Sequence, residues 1–125
     1  PYGQKLEGLD FCTLERFGPQ YAETLCRSKS ALVFGGYNSL VDVLSMGIPA
    51  LAVMRDMQDR EQQDHLAALS RSVGNRLSVV MENECSVEQL YTMLTELMKT
   101  GNDPFEIPVN LGGAEKAARV LAAML

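Results

Sequence analysis

Residues Ala31 to Met54 read ALVFGGYNSLVDVLSMGIPALAVM. Ala31-Leu32-Val33-Phe34 is a short run of apolar residues only, the pattern of a central strand in a parallel sheet. Gly35-Gly36 ends it. Asn38 or Ser39 offers a side-chain oxygen that can cap the orphan N–H groups of a helix first turn. Leu40, Val41, Val43 and Leu44 then follow helical spacing, and Gly47 stops the helix. Pro49 opens a second apolar run, Ala50 to Met54.

The chemistry of this stretch lies at the glycine corner. Glycine lets the backbone turn and lets a ligand approach with no Cβ in the way. The helix start behind it presents free N–H groups and the positive end of a helix dipole, a favourable place for a phosphate. Asp42 lies three residues after Ser39, so both can share one side of the helix. A carboxylate there can accept two hydrogen bonds from a ribose diol. The plainer reading is a βα turn that binds nothing, because glycine pairs are common in such turns.

Outward from this unit the pattern continues. Residues 55–59 form the loop leaving the second strand, and ligands in open α/β sheets collect at such strand ends. Arg55 either forks onto phosphate oxygens or pairs with Asp56 or Asp59 on the surface. A helix runs from about Arg60, with Leu66, Ala67 and Leu69 turned inward. His65, the single histidine, reads as a half-buried packing residue on that helix. Asn75 to Met81 reads as a third strand and Glu82 to Glu84 as a turn. Ser86 with Gln89 three residues on predicts a capping box. The helix it opens carries a stripe of Leu90, Met93, Leu94, Leu97 and Met98.

Towards the N-terminus, the chain starts with a loose polar segment. Leu9 to Leu14 reads as a strand with Phe11 and Leu14 buried, and Tyr21 to Ser28 as a short helix. That helix groups Tyr21, Ala22, Leu25 and Cys26 on one face. Towards the C-terminus, residues 101–108 form a loop. A last helix follows over residues 114–125, with Ala117, Ala118, Leu121 and Ala122 inward. The alternation predicts one α/β domain with a parallel sheet of four or five strands, by rough count of the apolar runs.

Composition narrows the function classes. The 125 residues, 46% hydrophobic and 22% charged, suit one globular domain with a real core. The formal net charge of -5 argues against a general nucleic-acid surface and against a basic membrane anchor. No apolar run approaches the roughly 20 residues of a membrane span, and no secretory leader is visible, so a cytoplasmic location is expected. Cys12, Cys26 and Cys85 are scattered and odd in number, which fits reduced, buried thiols. They lack metal-ligand spacing, so no metal site is expected.

The motifs together resemble a known family. Gly35-Gly36-Tyr37-Asn38-Ser39, Asp42, Gly47-Ile48-Pro49 and Arg60-Glu61-Gln62 are similar to the donor half of GT-B glycosyltransferases. The branch in question includes the bacterial N-acetylglucosaminyl transferase that acts on undecaprenyl-linked muramyl-pentapeptide. The likeness covers Val33 to Leu69. It implies a Rossmann-like parallel sheet with helices on both faces, the C-terminal half of a GT-B fold. It implies a nucleotide sugar, a UDP-sugar, as donor substrate with no further cofactor. The implied donor-binding residues are Gly35, Gly36, Tyr37, Asn38, Ser39, Asp42, Arg55, Glu61 and Gln62. In the resembling proteins the acid and amide matching Glu61 and Gln62 contact the sugar hydroxyls, and a Pro-Arg stands where this chain has Met54-Arg55. Asp42 departs from the family, which usually carries glutamate there.

The resemblance further implies that this chain, which begins at Pro1, is a fragment lacking an N-terminal acceptor domain, with its first strand and helix missing too. The catalytic base is then expected on the missing domain, the expected partner is that domain or a partner subunit, and the acceptor stays open. Two other readings share the fold. One is a nucleotide-sugar 2-epimerase, which Arg55-Asp56 and Asp59-Arg60 faintly match, although that family carries two adjacent acids after its glycines. The other is a non-catalytic interaction module, docking through the region of Phe105 and the last helix.

Overall fold

The computed structural model describes residues 8–16, 18–34, 36–55, 60–101 and 112–124, with backbone alone at 60–63. The elements run α1 (Tyr21–Cys26), β1 (Ala31–Phe34), α2 (Tyr37–Ser45), β2 (Ala50–Met54), α3 (Arg60–Val73), β3 (Leu77–Met81), α4 (Val87–Lys99) and α5 (Gly113–Ala123). Short 3-10 turns at Gly74–Arg76 and Glu82–Glu84 bracket β3. The three strands form one parallel sheet in the order β1-β2-β3, an α/β arrangement. Ala31, Ala50 and Leu77 stand level at one end, and Phe34, Val53 and Val80 near the other.

β2 is buried along its whole length. Side chains alternate across a strand, so Ala50, Ala52 and Met54 face one side and Leu51 and Val53 the other. On the first side α2 and α3 close over the sheet. Their Leu40, Val43, Leu44, Leu66, Leu69 and Val73 join Ala50, Ala52, Met54 and Leu77 in one core. The two alanines let helices approach the strand closely, and the bulk comes from the helices. On the second side α4 lies against β2 and buries Leu97.

The exit of α2 has a specific cause. Gly47 adopts φ +75°, which an L side chain rarely takes. Its N–H donates to Leu44 O at 2.9 Å, and the N–H of Ile48 donates to Val43 O at 3.2 Å. This pair of bonds is the Schellman ending, and it turns the chain into Pro49 and β2. Arg76 Nη1 donates to Gly47 O at 3.1 Å, tying the turn after α3 to the same corner. At the other end of the domain, Ser86 and Gln89 form the expected capping box, with bonds of 3.2 and 2.8 Å.

Several expectations are corrected. The sheet has three strands among the described residues, not four or five. Residues 9–14 form turn and coil: the Cys12 N–H donates back to Leu9 O, and Phe11 is 88% exposed. Phe11 and Leu14, three residues apart, would fall on opposite faces of a strand and so could not be buried together. β1 is an edge strand among the described residues, with Leu32 and Phe34 exposed on the face they share with Leu51 and Val53. In α5, Ala117, Ala118, Leu121 and Ala122 point outward with the rest of the helix, because no described element packs on it. Ala67 and Met98 are exposed, as are Ala22 and Cys26. The three cysteines are free thiols, but none is fully buried. The expected loose start before Gly8 and most of the loop over 101–108 lie outside the described residues. Among the described residues no helix is long and apolar enough to cross a membrane.

Two stability predictions follow from this packing. Leu44, fully buried between α2 and the sheet, loses about 2–5 kcal/mol on Leu44→Ala, read as a lower urea midpoint with unchanged slope. Ser86→Ala removes the cap of α4 and costs about 1 kcal/mol, while Ser86→Asp restores most of it in the same titration.

Candidate functional site

Parallel strands send all their outgoing loops to one end of the sheet, which gathers residues distant in sequence. Phe34 and Val53 are level, so Gly36 and Arg55 each lie two residues beyond the same rung. The first turn of α3 follows the β2 loop, and Glu82 follows β3 at this same end.

The helix at this corner begins earlier than the side chains suggest. α2 starts at Tyr37, so Asn38 and Ser39 lie inside its first turn and neither caps it. Gly36 is the cap residue, and its carbonyl accepts from the Leu40 N–H at 3.0 Å. No side chain caps the turn. Among the described residues, no acceptor meets the N–H groups of Tyr37, Asn38 and Ser39. Three parallel donors at a dipole's positive end suit an oxyanion.

Gly36 has φ −100° and ψ 112°, extended values that any residue adopts. Its backbone therefore does not demand glycine. A Cβ built there would meet the Ser39 hydroxyl at 3.4 Å, ordinary contact. What glycine contributes is open space beside the Ser39 hydroxyl and the exposed donors. Gly35 lies outside the described residues.

Ser39 and Asp42 are both exposed, on the flank of α2 turned away from buried Leu40 and Leu44. Asn38 is exposed with them. Tyr37 is half-buried: it packs against the core, and its ring lies 5.8 Å from the His65 ring at 49°. His65 itself is exposed, contrary to the half-buried placement expected, although its ring meets that of Tyr37. Glu61 and Gln62 fall in the first turn of α3, and their side chains lie outside the described residues.

Arg55 has the partner that local reading misses. Its Nε lies 3.3 Å from Glu82 Oε2, across the strand end from β2 to β3. Asp56 and Asp59, the partners expected from the sequence, lie outside the described residues. No signal near Arg55 could have found Glu82, because strand register alone brings them together. The pair is well exposed on both sides, so it orients the guanidinium while contributing little to folding. Gly36 to Asp42 and Arg55 thus share one end of the sheet, an arrangement able to meet an anion with N–H donors and one cation.

The chain matches no protein-family model, no curated protein and no solved structure.

The exposed Arg55–Glu82 pair sets an expectation for stability. Arg55→Ala changes unfolding free energy by under about 1 kcal/mol, and the difference shrinks further in high salt. Chemical denaturation at two salt concentrations measures both.

Proposed function

We propose that this chain is the donor-binding domain of a nucleotide-sugar-dependent glycosyltransferase, with a UDP-sugar as donor. The observation that carries the reading is the start of α2. A first turn with no side-chain cap, whose three N–H groups meet no acceptor among the described residues, stands at the outgoing end of a parallel strand, beside a glycine whose backbone does not require one. The resemblance of the Gly35 to Gln62 motifs supplies the substrate class.

In this reading the N–H groups of Tyr37, Asn38 and Ser39 and the Ser39 hydroxyl hold the diphosphate. The same dipole stabilises the negative charge that grows on the leaving nucleotide as the glycosidic bond breaks. Asp42, exposed on the same helix side as Ser39, takes the ribose hydroxyls. Arg55 supplies the cation at the strand end, oriented by Glu82. Glu61 and Gln62 take the sugar hydroxyls on the strength of the resemblance. The base that activates the acceptor comes from another domain or subunit. An interaction module is the second reading, and one observation favours it: α5 exposes Val120, Leu121 and Met124 together.

Titration with UDP and UDP-N-acetylglucosamine, followed by amide shifts, separates the two readings. Donor binding shifts the amides of Gly36 to Asp42 and of Arg55. Asp42→Ala weakens it about tenfold, the loss of a hydrogen-bonded charged group. Shifts confined to α5, or an affinity unchanged in Asp42→Ala, overturn the assignment.

A further inference from the structure

Among the described residues β3 forms the edge of the sheet remote from β1. Among the described residues Leu77 is engaged at both main-chain groups, its N–H donating back to Gly74 O and its O accepting from Ser70 Oγ at a long 3.5 Å, whereas Val79 bonds to no element other than β2. The part of this edge beyond Leu77 is a short template for one more strand.

A cavity lies on each face of this edge. One, of about 560 Å³, opens on the α4 side, with Val80, Cys85, Glu88 and Met93 in its wall. The other, of about 580 Å³, opens on the α3 side between Met54, Leu66 and Arg71. Val79 and Met81 line both, so the cavities are two halves of one groove divided by the strand. An added strand sends successive side chains to opposite faces, which matches this division.

The halves differ in charge. Glu84 and Glu88 line the α4 side, and no lysine or arginine does. The Glu88 carboxyl is held below the usual carboxylate range by its own backbone N–H and then by the Ser86 hydroxyl, so it stays ionised in neutral solution. The α3 side is mainly apolar and carries the cation of Arg71, which disfavours a basic guest there. A second copy of β3, LSVVM, brings no charge to answer the glutamates.

We propose that the outer edge of β3 takes up an extended peptide as a further strand, basic side chains facing Glu84 and Glu88 and apolar ones facing Met54 and Leu66. Main-chain bonds supply the docking, the acidic wall sets the register, and the interaction is independent of any nucleotide bound at the α2 corner.

The probe is the peptide acetyl-Gly-Lys-Val-Lys-Val-Lys-Val-Gly-amide, titrated into the chain and followed by amide shifts. The expected result is saturable shifts over residues 77–81 and along α4, with the glutamate-for-lysine peptide binding at least about tenfold more weakly. N-methylation of the valines, which removes backbone donors, abolishes binding. Glu88→Lys and Thr92→Arg, both at exposed positions, each weaken the lysine peptide about tenfold with an unchanged circular dichroism spectrum. Equal affinity for the two peptides, or indifference to both variants, overturns the proposal. So do shifts outside this groove, or a protein concentration dependence of the β3 amides without peptide, which identifies a second copy as the occupant.

Discussion

The burial of β2 on both faces is the constraint on which the rest depends. Five residues, ALAVM, have no solvent-facing side, so each must be covered. Leu51 and Val53 need an apolar partner on one face, and Ala50, Ala52 and Met54 need close-packed helices on the other. Burying a leucine or valine side chain is worth about 1.5–3 kcal/mol, and this strand and its contacts hold many such groups. α2 and α3 reach one face because each connects neighbouring parallel strands, and α4 reaches the other. The alanines matter as much as the large residues, since bulk at Ala50 or Ala52 would push α2 and α3 off the sheet.

That same parallel packing creates the candidate site without any residue being selected for proximity. Three strands running one way deliver Gly36, Arg55 and Glu82 to one end. The corner at Gly36 is chemically open because α2 lacks a capping side chain, whereas α4 has a full capping box. One chain thus contains two helix starts with opposite treatment of their orphan donors. At Ser86 they are satisfied internally, and at Gly36 they are left for solvent or a ligand. α1 and α5 also begin without a side-chain cap, so what sets the Gly36 corner apart is its place at the outgoing end of a parallel strand.

The edges tell a complementary story. β1 exposes Leu32 and Phe34 on one face, and β3 is an edge strand among the described residues, between two cavities. α5 is exposed along its length. Apolar surface is therefore concentrated at the rims of a small, fully packed centre, where further chain segments or partners can add to what β2 has organised.

Local periodicity was enough to read β2, the Gly47 exit of α2 and the Ser86–Gln89 box, because each depends on residues adjacent in the chain. Gly47 needs its own positive φ, and the box needs a spacing of three. Helical spacing likewise placed Leu66, Leu69 and Leu97 inward, where they are buried. The start of α2 was read late because Asn38 and Ser39 are good caps in isolation, and a glycine with extended backbone outcompeted them. The fates of Phe11, Phe34 and Leu121 were not legible. An apolar residue declares a preference for burial, but whether a neighbour arrives to bury it depends on strand order and helix placement. The Arg55–Glu82 pair belongs to the same class. By itself the sequence determined the three strands and the helices that follow them, though not the coil at 9–14, and where several elements end, since those are short-range steric and hydrogen-bonding matters. The tertiary structure alone decided which strand is the centre, which faces stay open and which charge meets Arg55, because register joins residues that have no local relation.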